Sequence, residues 1–333
     1  MLGRADEAID DLWPLRHPTK FRHVTKFSIE AKFRLSSVPS SSIIVSMNRL
    51  TTERRAQILG MMVEGNSIRA IVRMTGASKN TIGKLLEDAG EAFSAYQDRT
   101  FHDLPCKRIQ LDEIWAYSYC KQRKVPLAKN APEDAGDLWT WVALDADTKL
   151  VPSWRVGDRS GATAIEFVCD LSRRLASRVQ VTSDGHRAYL EAVEAGFGAD
   201  VDYAQLVKLY GEVPHPAGRY SPAQIQGTKT SCCTGDPDPK YISTSYVERQ
   251  NLTMRMSMRR FTRLSNGFSK KAENHAHSVA IHFMHYNFVR IHQSLRVTPA
   301  MEAGVTSKLW SMTDMVRLIE EREDRRSGAF MVG

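Results

Sequence analysis

Three acidic side chains stand where a carboxylate is costly unless it has a task. Asp112 lies in the middle of RIQLDEIWAYS, an alternating stretch that predicts a strand. Asp184 ends the short apolar stretch VQVTSD, at the carboxyl edge where α/β sheets place their sites. Glu248 lies in the first turn of a helix predicted from about 245 to 264. We therefore take Asp112, Asp184 and Glu248 as the candidate catalytic residues and metal ligands.

Three carboxylates in one site cannot all stay ionised without a cation between them. Oxygen ligands select hard cations, so the expected cofactor is a pair of Mg²⁺ ions, for which Mn²⁺ can substitute. Two such ions about 4 Å apart would activate the attacking oxygen and stabilise the leaving oxygen of a phosphoryl transfer. Taken singly, each acid has another interpretation: Asp112 could pair with a buried arginine, Asp184 could be a turn residue, and Glu248 could interact with the helix dipole.

Two other acids are weaker candidates. Glu113 is adjacent to Asp112, and a strand directs it to the opposite face, so we do not expect it to share the metal. Asp145, on the next predicted strand, is the best substitute if one of the three acids is assigned wrongly.

Positive charge is concentrated behind Glu248. The chain has a formal net charge of +8, and residues 249–296 contain nine Lys or Arg against one acid, which is the same excess. Such clustering favours a polyanionic partner, because neutralising phosphates releases counterions; a solvated basic face is the alternative. The residues of this region that are expected to contact DNA are Arg249, Arg255, Arg259 and Arg260. His186, which follows the Asp184-Gly185 turn, is a further expected contact.

The helix that begins near 245 is predicted to have two faces. Arg255 and Arg259 share the face of Glu248. A separate stripe is suited to packing and consists of Val247, Met254, Met258 and Phe261.

The segment 51–88 contains three short helical patterns. Ser67 and Ser78 are plausible caps of the second and third helices, which a turn at Gly76 separates. Two short helices joined by a glycine turn predict a helix-turn-helix whose second helix enters the major groove, although such pairs also occur as plain packing units. The polar face of that helix offers three further expected DNA contacts: Lys79, Asn80 and Lys84.

From residue 109 the hydrophobic period becomes that of strands. Three alternating stretches predict an antiparallel meander, and the order continues as helix, strand, helix, strand. The predicted class is therefore α/β: a mixed five-stranded sheet flanked by helices, preceded by an all-α helix-turn-helix domain. The predicted organisation is an unassigned and disordered extension at 1–46, the helix-turn-helix domain at 47–92, a linker at 93–108, the catalytic domain at 109–304 with a loop insertion at about 211–243, and a C-terminal helical tail at 305–333.

Composition excludes several classes. No apolar run is long enough to cross a bilayer and the first residues lack the pattern of a signal peptide, so we expect a cytoplasmic protein with no membrane partner. The five cysteines show neither a disulfide framework nor the paired spacing of a zinc site, which indicates reduced thiols.

Four ordered segments resemble the DDE transposases of the insertion sequence 1 family. They are LPCKRIQLDEIWAY, TSDGHRAY, SYVERQNLTMRMSMRRFTR and YNFVRIHQSLRVTPAMEAG, which together span about 105 to 304, and with the helix-turn-helix the similarity begins near Met47. The resemblance implies an RNase H-like core in which Asp112, Asp184 and Glu248 bind metal and Arg255 contacts DNA.

The same resemblance implies strand transfer at the terminal inverted repeats of an insertion sequence, by a homo-oligomer assembled on double-stranded DNA in the nucleoid. The chain departs from the family in lacking a C-x-x-C pair ahead of the helix-turn-helix. Two alternatives remain open. One is an RNase H-like nuclease or resolvase without strand transfer, and the other is a non-catalytic helix-turn-helix regulator.

Overall fold

The computed structural model of the chain describes residues 49–211, 225–262 and 266–329. A single mixed sheet dominates these residues. Its strands are β1 Arg108–Ser118, β2 Gly136–Asp145, β3 Ser153–Gly157, β4 Val179–Ser183, β5 Val201–Tyr210 and β6 Ile225–Thr234. In space their order is β3-β2-β1-β4-β5-β6.

The pairing of the strands brings the ends of β1 and β4 together. The first three strands form the predicted antiparallel meander, whereas β4 is parallel to both β1 and β5. The last pair between β1 and β4 is Leu111 with Ser183. Beyond Leu111, β1 continues alone on this side, so the residue after each of these partners, Asp112 and Asp184, lies at the same edge.

The prediction of five strands was wrong by one. The extra strand, β6, pairs antiparallel with β5 inside the segment 211–243 that was predicted as a loop. Nearly every residue of β6 is exposed, so it has no buried face and lacks the apolar alternation that marks a strand in sequence. Its threonines favour extended backbone. Residues 212–224 of the predicted insertion, like the predicted extension 1–46, lie outside the described residues.

Helices cover both faces of the sheet and extend beyond it. They are α1 Thr52–Val63, α2 Ile68–Thr75, α3 Lys79–Thr100, α4 Gly161–Ser172, α5 Ala188–Phe197, α6 Ser245–Ser257, α7 Ala272–Phe288, α8 Pro299–Glu302 and α9 Met312–Ala329. None of the helices in the described part of the chain is long and apolar enough to cross a bilayer. All five cysteines are free, as predicted.

Helices α2 and α3 begin directly after the predicted caps Ser67 and Ser78, and Thr51 caps α1 in the same way. The side chains of Thr51, Ser67 and Ser78 each accept a hydrogen bond from the backbone N–H three residues later. Gly76 ends α2 in the left-handed region, with φ of 70°, which a residue with a side chain adopts only at a cost. The local sequence therefore determines where these three helices begin and where α2 ends.

The segment 93–108, predicted as a linker, is helix and buried core instead. Helix α3 continues to Thr100, because Ala89, Ala92 and Phe93 extend its apolar stripe, and all three are buried. Gly90 allows α3 to approach α7 closely, since a Cβ at this position would lie 2.6 Å from the Cα of His277. The N-terminal helices are thus packed onto the rest of the protein.

The C-terminal helix α9 also packs on the N-terminal helices. Its residues Met315, Val316 and Ile319 are buried in the core that contains α1 and α3. At the edge of this contact Glu323 pairs with Arg55 at 3.1 Å. The predicted C-terminal tail is therefore part of the same packed unit.

Two cores lie on opposite faces of the sheet. One contains Ile109 and Leu111 of β1 together with α4, α5 and the N-terminal helices. The other contains Ile114 of β1 with apolar residues of α6 and α7. Asp112 alternates with Leu111 and so lies on the face that α6 covers.

Candidate active site

Three carboxylates meet where β4 ends. One oxygen from each of Asp112, Glu113 and Asp184 can be chosen so that all three lie within 4.8 Å of one another. Asp112 and Asp184 therefore come together as the sequence predicts. We call these three residues the carboxylate cluster.

Glu113 lies in the cluster, although its place on the opposite face of β1 predicted that it would not share a metal with Asp112. Its Oε1 accepts hydrogen bonds from Nε (2.9 Å) and Nη2 (2.6 Å) of Arg159, and its Oε2 accepts one from the hydroxyl of Tyr189 (3.0 Å). Glu113 does start on the opposite face from Asp112. Because β4 stops beside Leu111, no backbone separates the two faces at residue 113, and the carboxylates approach through the gap.

The carboxyl group of Asp112 has a raised pKa. Burial raises its pKa to about 7, with further contributions from the negative charges of Glu113 and Asp184. Its Oδ1 accepts from the N–H of Glu113 (2.9 Å) and its Oδ2 from the side-chain amide of Asn251 (2.8 Å). These hydrogen bonds offset only part of the free-energy cost of holding a buried, charged carboxylate beside two other acids. The cluster therefore carries more negative charge than its neighbours compensate, and its oxygen donors fit a hard divalent cation.

The structure does not bring Glu248 into the cluster. Its Oε1 accepts a hydrogen bond from Thr244 (2.5 Å) and forms an ion pair with Lys208 of β5. Lys208 was not among the predicted residues, because nothing in the sequence of β5 marks one lysine as the partner of an acid 40 residues later.

Glu248 nevertheless lies between two contacts that fix α6 on β1. Gln110 accepts hydrogen bonds from the backbone N–H groups of Tyr246 (2.9 Å) and Val247 (3.0 Å) at the start of the helix. Asn251, three residues after Glu248 and so on a neighbouring part of the helix surface, donates to Asp112. The backbone of Glu248 is thus held beside the cluster, and only its side chain points to Lys208. The i, i+3 spacing is the signal from which Asn251 could have been found.

Helix α6 ends earlier than predicted, and this separates the arginines. It stops at Ser257 because Met258 is extended, and Arg259 and Arg260 then lie in a short 3₁₀ turn. Arg259 therefore does not continue the face of Glu248, contrary to prediction. Arg255 remains in the last turn of the helix. The predicted packing stripe is confirmed, since Val247, Met254, Met258 and Phe261 are all buried.

The predicted DNA contacts of this region differ in exposure. Arg249 and Arg259 are exposed, whereas Arg255 is half-buried. Arg260 is also half-buried, donates to the hydroxyl of Ser269, and has its pKa lowered to about 10 by burial. Arg260 is thus mainly a structural group.

His186 lies next to the cluster but takes part in packing. Its ring stacks on Trp141 at 5.8 Å between centroids, and its backbone N–H donates to Asp184 (3.0 Å). Burial lowers the pKa of His186, so the imidazole is neutral near pH 7.

Three predicted DNA contacts lie on helix α3. Lys79, Asn80 and Lys84 are exposed in the first half of α3, where Lys84 pairs with Asp88 at 2.6 Å.

Asp145 is fully buried and accepts hydrogen bonds from the N–H (3.0 Å) and hydroxyl (2.6 Å) of Thr148 in the β2–β3 turn. Asp145 is therefore no substitute for a member of the cluster.

Two solved structures are distantly similar to the chain. No family model matches the chain, and no curated protein matches it. Among solved structures, it is similar over 75% of its length, and 74% of the other chain, to a chain of a simian T-cell lymphotropic virus intasome in complex with PP2A regulatory subunit B56 gamma, at 13% identity and a TM-score of 0.37.

A second neighbour is the piggyBac transposase synaptic complex with hairpin DNA. It shares 11% identity over 81% of this chain and 72% of that chain, with a TM-score of 0.35. Likenesses this distant do not transfer residue roles, so the functional argument rests on the carboxylate cluster and its surroundings.

Proposed function

We propose that the chain is a DDE transposase with an RNase H-like core, which cleaves and joins DNA at the terminal inverted repeats of an insertion sequence. The observation that carries this proposal is the carboxylate cluster at the end of β4. The hydrogen bonds made by its acids do not offset their burial and mutual repulsion, which raise the pKa of Asp112 to about 7. Asp112 and Asp184 would hold two Mg²⁺ ions, or Mn²⁺, with Glu248 as the third ligand.

The metal ions, when bound, would stabilise charge on the attacking and leaving oxygens of a phosphodiester. The protein's own groups fix the ligands. Asn251 orients Asp112 through one hydrogen bond, and Arg159 with Tyr189 holds Glu113. To bind the metal, the side chain of Glu248 would have to leave Lys208, and its position three residues before Asn251, which donates to Asp112, supports this exchange.

Exposed basic residues support DNA as the substrate. Arg249 and Arg259 are exposed, and Arg255 lies two turns after Glu248 on α6. The α2–α3 pair, with Lys79, Asn80 and Lys84 exposed, supports binding of duplex DNA through α3. His186 and Arg260, which are more enclosed, would act on DNA only through the groups that they position. We also propose that the active form is a homo-oligomer on paired DNA ends.

A cleavage and joining assay tests the proposal. The full chain is incubated in Mg²⁺ with labelled DNA that carries the sequences flanking its gene, and 3′-end cleavage and transfer products are resolved. Asp184→Ala should lose both products by at least roughly 100-fold, the scale of removing a principal group from a catalytic site. Asp200→Ala, which removes an acid whose side chain is 77% exposed, should retain them.

Each other outcome favours a specific alternative. Cleavage without joining by the unaltered chain would indicate a nuclease or resolvase. Equal activity of Asp184→Ala and the unaltered chain would reject the cluster as the active site. Sequence-specific binding that depends on Lys79 and Lys84, with no cleavage in any metal, would indicate the non-catalytic regulator.

A further inference from the structure

A row of partly exposed aromatic side chains extends from the carboxylate cluster along β1 and β2. Trp115 and Trp139 are directly opposite each other in the antiparallel ladder, and Tyr117 follows Trp115 on the same face, at 5.7 Å between ring centroids. Phe268 stacks on Tyr117 at 5.2 Å with 28° between the planes. We call these four residues the aromatic strip.

The strip begins where the cluster ends. Glu113, Trp115 and Tyr117 alternate along one face of β1, and this face is covered by α4 and α5 only near Ile109 and Leu111. Four large rings that are partly exposed side by side form an apolar patch of the kind that marks a binding surface.

One arginine joins the strip to the cluster. The guanidinium of Arg159 lies 4.6 Å from the ring centroid of Trp139 and donates to Glu113 at the same time. Its side chain is 44% exposed, so it remains accessible to a ligand. An anionic group that reaches Trp139 therefore meets a positive charge directly beside the carboxylates.

Further positive charge lies beside the strip. Lys121 lies 5.5 Å from the ring of Trp115. The connection between β1 and β2, residues 119–135, contains four Lys or Arg and two acids, Glu133 and Asp134, and three of the four basic residues are exposed: Arg123, Lys124 and Lys129. Aromatic rings interleaved with basic side chains are the combination that binds single-stranded nucleic acid, because bases stack on the rings while cations follow the backbone.

We propose that the aromatic strip stacks the bases of an unpaired DNA strand whose backbone passes the carboxylate cluster. Arg159 and the exposed basic residues Arg123, Lys124 and Lys129 contact the phosphates of this strand. The inference rests on the proposed function for the identity of the polymer as DNA. A duplex does not fit the strip, because its bases already stack on one another and offer no free faces. An acidic or neutral protein partner would use the basic frame but would leave the stacked geometry of the rings without a purpose.

The test measures binding by the full chain in EDTA, so that catalysis plays no part. Fluorescence anisotropy compares three probes of equal length: a single-stranded oligodeoxynucleotide, the same strand in a duplex, and an abasic strand. Trp139→Ala should bind the single strand roughly 5- to 150-fold more weakly, which is the scale of one lost base-stacking contact. Its binding to the duplex and to the abasic strand should change less than roughly twofold, since neither offers a free base.

Two further variants separate stacking from folding. Trp139→Phe keeps an aromatic face and should retain binding, whereas Trp139→Leu keeps apolar volume and should behave like the alanine variant. Tyr241→Ala is the matched control, because Tyr241 is an exposed aromatic residue with Arg108 over its ring at 4.0 Å but lies outside the strip. It should bind the single strand like the unaltered chain.

Three results would overturn the inference. The first is unchanged single-strand binding by Trp139→Ala or Trp139→Leu. The second is an equal loss of binding to the abasic strand. The third is a change of oligomeric state of the Trp139 variants in light scattering with single-strand binding intact, which would assign the strip to a second copy of the chain. Failure of the proposed function is distinguishable. In that case the unaltered chain shows no cleavage in Mg²⁺, yet its binding to the single strand still depends on Trp139.

Discussion

The substitution Asp112→Asn should stabilise the protein in the absence of metal, and more so at high pH. Burial and two neighbouring carboxylates raise the pKa of Asp112 from an ordinary value of 3.8 to about 7. Between these values the folded state binds more protons than the unfolded state, so the free energy of unfolding falls as pH rises through this window. Above about pH 7 the charged carboxylate is at its most costly, and the neutral amide avoids that cost.

The size of the effect follows from the same two values. A difference between 3.8 and about 7, at 1.36 kcal/mol for each pKa unit, corresponds to about 4 kcal/mol at pH 8. At pH 5 only about 1.6 kcal/mol of this cost is present, because Asp112 is then mostly protonated in the folded protein. The stability advantage of Asp112→Asn should therefore be larger at pH 8 than at pH 5 by roughly 2–3 kcal/mol.

Hydrogen bonding does not obscure this comparison. The amide oxygen at residue 112 can still accept from the N–H of Glu113. The amide of Asn251 can rotate so that its Oδ1, buried without a hydrogen-bond partner in the described part of the chain, accepts from the new amide. These changes do not depend on pH, so they cancel in the difference between the two conditions.

Urea denaturation in EDTA at pH 5 and pH 8 measures the effect. The control is Asp200→Asn, which changes an exposed acid and should give the same small difference at both pH values. An advantage of Asp112→Asn that is equal at both pH values, or larger at pH 5, would refute the electrostatic account of the cluster.

Two further predictions concern packing and the Lys208–Glu248 pair. Gly90→Ala should lower the free energy of unfolding by roughly 1–3 kcal/mol, because the added Cβ overlaps α7. Gly83→Ala on the same helix places its Cβ where nothing lies within 4 Å, so it should raise the free energy of unfolding by roughly 0.5–1 kcal/mol. Equal effects of the two variants in urea denaturation would contradict the close contact. Lys208→Met should tighten Mn²⁺ binding by up to roughly fivefold, because it frees Glu248 from a partly exposed ion pair. The control Lys229→Met removes an exposed charge from the adjacent strand and should leave Mn²⁺ binding unchanged. Weaker Mn²⁺ binding by Lys208→Met would mean that Glu248 does not move to the cluster.

Local signals predicted much of the fold. The antiparallel meander follows from three alternating stretches, and the starts of α2 and α3 follow from Ser67 and Ser78 as caps, with Gly76 as the stop of α2. The proximity of Asp112 and Asp184 follows from the parallel pairing of β1 and β4, because each aspartate comes directly after the last paired residue of its strand. These features depend on residues close together in sequence or on general rules of sheet topology.

The missed features depend on contacts that no local pattern encodes. Strand β6 is exposed along its length and carries no apolar alternation. The entry of Glu113 into the cluster depends on where β4 stops, and the position of the Glu248 side chain depends on Lys208, 40 residues earlier. The extension of α3 through residues predicted as a linker reflects tertiary burial against α7, with Gly90 as the point of contact.

The packing of α3 on α7 has a functional consequence under the proposed function. The helices that carry Lys79 and Lys84 share one core with the sheet that carries the cluster. DNA bound along α3 would therefore be held at a fixed distance from the carboxylates, since no free connection separates the two parts. Gly65, whose Cβ would lie 2.8 Å from the carbonyl oxygen of Ser257, joins the α1–α2 turn directly to the end of α6.

The central claim is that the carboxylate cluster binds a divalent cation, and calorimetric titration with Mn²⁺ at pH 8 tests it most directly. The unaltered chain should bind Mn²⁺, and Asp184→Asn should weaken binding at least roughly tenfold, because one of its ligands loses its charge. Asp200→Asn should bind like the unaltered chain. Equal binding by Asp184→Asn and the unaltered chain, or no binding by either, would contradict the account.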